Sequence, residues 1–117
     1  MIIALTILTE TAFARSHYRC AASKVVVTNA PGRDSSVRVE EHLGFWIDDA
    51  AKTIVLLDGA RPQVTRFDQS WVSARLGDID YEFDRVAGTL TYAGSTTMGN
   101  TTTTVVGSGH CDMVPPD

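Results

Sequence analysis

Hydrophobic and polar residues alternate along most of this chain with a period of two. Val37, Val39, Leu43, Phe45 and Ile47 fall on one parity, and Arg38, Glu40, His42, Trp46 and Asp48 on the other. That is the pattern of a long strand with one face buried. Glu41 breaks it by placing a carboxylate on the apolar parity. Asp48-Asp49-Ala50-Ala51-Lys52 predicts a turn rather than a helix, because β-branched Thr53, Ile54 and Val55 follow it and Gly59 ends the run. Further strands are expected at 53–57, 63–67, 71–75, 78–84, 89–94 and 101–109, with an initial strand near 19–28. Turn chemistry separates them: Pro31-Gly32, Asp58-Gly59, Asp68-Gln69-Ser70, Arg85-Val86-Ala87-Gly88 and Met98-Gly99-Asn100.

The fold class that follows is all-β, a single small antiparallel meander of about eight strands that closes, or nearly closes, into a barrel. Cys20 and Cys111 bracket the meander. Their spacing excludes a C-x-x-C redox or zinc pair, and a lone pair of distant thiols in an exported chain predicts a structural disulfide joining the first and last strands. Closing a loop of about 90 residues stabilises the fold by roughly 4 to 5 kcal/mol in the chain-entropy account. Two buried free thiols in a reducing compartment are the alternative. Strands of about six residues would enclose only a few layers of side chains, whereas a lipocalin-like carrier needs longer strands and an emptier interior, so a buried small-molecule ligand is disfavoured.

Length and charge narrow the class of function. The chain has 117 residues, 44% of them hydrophobic, which suits one domain. A net charge of −4, with ten basic residues scattered among fourteen acids, argues against nucleic acid as a partner. No apolar run is long enough for a membrane span. At the N-terminus, the apolar stretch from Met1 to Leu8 and the small-x-small site Ala12-Phe13-Ala14 read as a signal-peptide remnant, 1–14, leaving a mature β domain of 15–117 that begins at Arg15. An ordinary first strand is the competing reading. Export implies a periplasmic or secreted protein.

Candidate chemistry is sparse. On a strand, Asp78, Asp80, Glu82 and Asp84 project from one face about 6.8 Å apart, while Ile79, Tyr81 and Phe83 face the core. Asp80, Glu82 and Asp84 are therefore a candidate cation site or hydrolase face. The competing reading is a solvated face with cross-strand partners among Lys52, Arg66 and Arg75. His17, His42 and His110 lack metal-ligand spacing, and no nucleophile elbow, P-loop or dinucleotide fingerprint occurs. Gly107-Ser108-Gly109 reads as a flexible strand end, and the threonines at 96, 97 and 101–104 as strand-forming residues. Trp46 sits on the polar parity with His42. An exposed indole among charges is a contact anchor, and Trp46, His42 and Arg75 form the candidate contact surface. No cofactor, metal ligand set or catalytic group is assigned.

Phe45-Trp46-Ile47-Asp48-Asp49, the Tyr-x-x-Asp-Arg-x-x-Gly-x-Leu stretch from Tyr81 to Leu90, and Gly109-His110-Cys111 together resemble a group of small exported bacterial proteins of unknown function. That likeness implies secretion, a β-rich fold and a disulfide, and carries no activity with it. More distantly, Tyr18-Arg19-Cys20 and a cysteine near the end resemble the β-barrel inhibitors of c-type lysozyme in bacterial envelopes. Those inhibitors present a Ser-Gly-x-x-Tyr loop; Ser73-Ala74-Arg75-Leu76-Gly77 lacks its glycine and its tyrosine. The expectation is a non-enzymatic module acting by protein contact in the cell envelope. Lysozyme inhibition or a small hydrolase built on Asp80, Glu82 and Asp84 are the alternatives.

Overall fold

A computed structural model describes residues 15–115, and the segments 1–14 and 116–117, which carry the expected signal remnant and the end of the tail, lie outside the described residues. Eight strands follow in chain order: β1 Arg15–Ala30, β2 Arg33–Asp48, β3 Thr53–Leu56, β4 Gln63–Phe67, β5 Trp71–Leu76, β6 Ile79–Asp84, β7 Thr89–Met98 and β8 Thr101–Val114. They form one antiparallel sheet in the order β3-β2-β1-β8-β7-β6-β5-β4. Each strand pairs with its neighbour in sequence except β3 and β4, and the first and last strands pair in the middle. Among the described residues no helix is long and apolar enough to cross a membrane.

The turns explain the register. Pro31-Gly32 joins Ala30 to its partner Arg33, with Gly32 at φ 71°, where a side chain would be strained. Leu76 faces Ile79 and Met98 faces Thr101 across two-residue turns that place Gly77 and Gly99 at φ 61°. At the β6–β7 turn, one Asp84 carboxylate oxygen accepts the backbone N–H groups of Val86 and Ala87.

The sheet curls on itself to make a nearly closed barrel. Three strands separate β2 from β6 in the sheet order, and a flat sheet would hold them about 19 Å apart. Yet Phe45 on β2 meets Phe83 on β6 edge to face with ring centroids 5.1 Å apart, and Tyr18 on β1 meets both rings at 5.4 and 4.8 Å. These rings, with Ile47, Ile54, Val72 and Leu90, fill the interior. Cys20 faces Cys111 directly in the β1–β8 register, and the two are disulfide-bonded and buried. The bond therefore joins the first and last strands, as the sequence predicts.

The seam falls between β3 and β4, which the chain itself bridges through 57–62. Arg85 holds that end together. From the β6–β7 turn its guanidinium donates to both carboxylate oxygens of Asp49 in the β2–β3 turn, at 2.8 and 3.0 Å, and to the carbonyl of Asp68 in the β4–β5 turn, at 3.2 Å. The paired carboxylate raises the affinity of this guanidinium for its proton against the opposing effect of burial. A planar fork matched to a carboxylate fixes geometry that a lysine could not.

Strand length departs from the expectation. β1 and β2 each run 16 residues, β8 runs 14 and β7 runs 10. Valine and threonine carry strand geometry well past the barrel, so β2-β1-β8-β7 continue as a four-stranded ribbon with Val37 at its base and Met98 near its tip exposed. The interior is also not filled: it keeps an apolar cavity of about 250 Å³. The strands that wall this half-open space, β3 to β6, keep the short lengths expected of them, at four to six residues.

Candidate functional site

The Trp46 face is the most developed surface feature. Trp46 on β2 lies directly opposite His17 on β1, and the two rings stack with centroids 5.0 Å apart and planes 25° from parallel. Strand alternation puts both on the outside of the barrel, away from buried Phe45 and Ile47. Hollows flank the indole on both sides. One, about 300 Å³, is bounded by Arg15, Asp48, Thr53, Val55 and Arg61; the other, about 400 Å³, by Arg15, His17, Arg19, Met113 and Val114. Three arginines thus line the hollows beside one indole on a chain of net charge −4. Nε2 of His17 is buried and has no hydrogen-bond partner among the described residues. Such a nitrogen is costly to leave unpaired.

Of the other two residues assigned to this surface, His42 shares the outward parity of β2 with Trp46. Arg75 does not join them. It sits on β5, with four strands between it and β2 in the sheet order, and its guanidinium is taken by Asp80 at 3.2 Å and by the Gly77 carbonyl. The sequence reading missed His17, Arg15, Arg19 and Arg61 as companions of Trp46. Only the β1–β2 register brings the first three there, and parity within β2 carries no trace of it.

The acidic strand divides its carboxylates among separate tasks. Asp80 pairs with Arg75; Glu82 accepts hydrogen bonds from the Trp71 indole N–H at 3.0 Å and the Ser73 hydroxyl at 2.9 Å; Asp84 caps its turn; Asp78 accepts from Thr96. Among the described residues no three His, Cys, Asp or Glu side chains gather in a metal-binding group. Ser73 to Gly77 lies on β5 and its turn, with Ser73 buried against Glu82.

The parity-breaking Glu41 proves to be a second polar centre, inside the barrel mouth. It accepts a hydrogen bond from the Tyr92 hydroxyl and pairs with Lys24 at 3.3 Å. Tyr92 stacks on its cross-strand partner Tyr81, centroids 5.5 Å apart. Its ring lies over Gly107, where any Cβ would overlap it, and a Cβ at Gly109 would meet the backbone of Ala21 and Ala22. Gly107-Ser108-Gly109 is thus not a flexible strand end. It is strand interior, with glycine at 107 and 109 because other atoms occupy the side-chain space. Burial, with the Glu41 charge beside them, pushes both phenols above their ordinary value. These groups hold protons firmly and are suited to hydrogen bonding rather than to proton transfer near neutrality.

Searches against protein-family models, curated proteins and solved structures find no match to this chain.

Proposed function

We propose that this protein is an exported, disulfide-locked β-barrel module of the cell envelope that works by binding another protein through its Trp46 face and catalyses no reaction. The carrying observation is the stacked Trp46–His17 pair with Arg15, Arg19 and Arg61 around it. Tryptophan and arginine supply most of the binding energy at protein interfaces, through large buried area and forked hydrogen bonding. The arginines favour a partner that presents carboxylates, because complementary charge speeds encounter and penalises wrong partners. The Cys20–Cys111 bond supports an oxidising compartment, where such bonds persist.

The test is site-specific photocrosslinking in envelope preparations, with the crosslinker at Trp46 or, as a control, at Ser36 on the exposed ribbon. A discrete adduct from position 46, lost in an Arg15→Glu/Arg19→Glu protein and not formed from position 36, is expected. Equal labelling from both positions, or none from position 46, contradicts the reading.

A further inference from the structure

The interior cavity lies on the opposite face of β2 from the Trp46 surface. Leu43, Phe45, Ile54, Val72, Ala74 and Phe83 wall it, so its sides come from β2 and β3 across the seam and from β5 and β6 behind. It exists because the sheet is not hydrogen-bonded between β3 and β4 and because Ala74 contributes little volume at a position 2% exposed. Leu57, packed over Gly44, lines it as a half-exposed flap. By scale, a cavity of 150 Å³ accepts benzene, so about 250 Å³ suits on the order of ten non-hydrogen atoms.

Asp58 and Tyr81 bring polar side chains to this lining. Asp58 is exposed, accepts only the Ala60 backbone N–H at 2.9 Å, and belongs to none of the ion pairs among the described residues. Tyr81 also lines the cavity, and the charges of Asp58 and Glu41 both act on its phenol. His42 borders the lining from β2, but strand parity turns its side chain outward with Trp46. Apolar walls with a few polar groups are the usual build of a small-ligand site, and the Asp58 carboxylate, unlike that of Glu41, which Lys24 and Tyr92 already engage, is open to a cation.

We propose that the seam cavity binds a small hydrophobic amine, with its apolar body inside the barrel and its ammonium at the opening, beside the Asp58 carboxylate and the Tyr81 hydroxyl. The walls are preformed, so binding costs little reordering beyond Leu57.

Methyl NMR of Leu43, Ile54 and Val72 tests this, with three probes that share a phenyl body: 2-phenylethylamine, 2-phenylethanol and 3-phenylpropionate. The amine should shift those methyls saturably and the carboxylate should bind at least tenfold more weakly. Asp58→Asn should lower the amine-to-alcohol affinity ratio at least threefold, and Ala74→Met should abolish binding of all three. Should Ala74→Met fail to fold, the ratio in Asp58→Asn, an exposed substitution, decides alone. The proposal is overturned by an absence of saturable shifts, by amine and carboxylate binding within twofold of each other, or by shifts at Val25 and Val106 on the outer face instead. Concentration-dependent shifts of the cavity methyls without ligand, together with a dimer mass, would assign the seam to a second copy of the chain and also overturn it.

Discussion

At the scale of single residues, what a side chain does depends on the partner across the strand more than on its own type. Asp80 and Glu82 share one face of β6, yet Asp80 meets an exposed arginine while Glu82 accepts from a buried serine and an indole. Asp80→Asn should therefore change stability by less than about 0.5 kcal/mol, as exposed pairs do. Glu82→Ala should cost about 1 to 3 kcal/mol by leaving the buried Ser73 hydroxyl without its acceptor, while the Trp71 indole N–H keeps the Ser73 oxygen at 3.1 Å. Urea midpoints at constant slope will separate the two. The phenols of Tyr81 and Tyr92 give a pH prediction. Their folded pKa values lie above the ordinary 10.0, so the native state holds these protons more tightly than the unfolded chain does. That stabilisation is fully present below pH 10.0 and is lost as the pH rises through the folded values. Absorbance titration should show both tyrosines ionising late, and Tyr81→Phe/Tyr92→Phe should flatten the alkaline loss of stability.

At the scale of elements, the turns decide how the strands come together. Arg85, in the β6–β7 turn, bonds to two others, so Arg85→Ala should cost about 1 to 3 kcal/mol. Arg85→Lys should recover only part, since an ammonium cannot bond both Asp49 oxygens in one plane. Full recovery in chemical denaturation would count against the clamp. Strand number, the turn sites and the outward parity of Trp46 were legible in the sequence, because alternation and turn dipeptides are local signals. Strand ends were not. Arg33 to Ser36 and Ser95 to Thr97 carry polar residues on both faces of the ribbon, which erases the period that would have marked them as strand. Glu41 was visible as an exception, but its meaning required Lys24 and Tyr92, which reach it from β1 and β7. The Arg75 assignment to the contact surface failed to gather for the same reason: sequence gives parity along a strand, while sheet order sets which strands share a neighbourhood.

At the scale of the molecule, the barrel and the ribbon differ in what supports them. The barrel has a ring-packed interior and the Cys20–Cys111 bond, whereas the ribbon is a single layer with apolar side chains exposed. Amide exchange should be slow at Phe45, Phe83 and Cys111 and much faster at Val27 and Thr103, since opening the ribbon uncovers little apolar surface. Removing the disulfide with Cys20→Ala/Cys111→Ala should lower stability by roughly 2 to 5 kcal/mol. The central claim is that the sheet closes on itself, because closure creates the interior, positions the seam cavity and turns Trp46 outward. The most direct test is a nuclear Overhauser measurement between the rings of Phe45 and Phe83. With centroids 5.1 Å apart in the closed barrel, their ring protons should show strong cross-peaks. Intact β1–β2 and β6–β7 pairing without any Phe45–Phe83 cross-peak would mean an open sheet and would contradict the account.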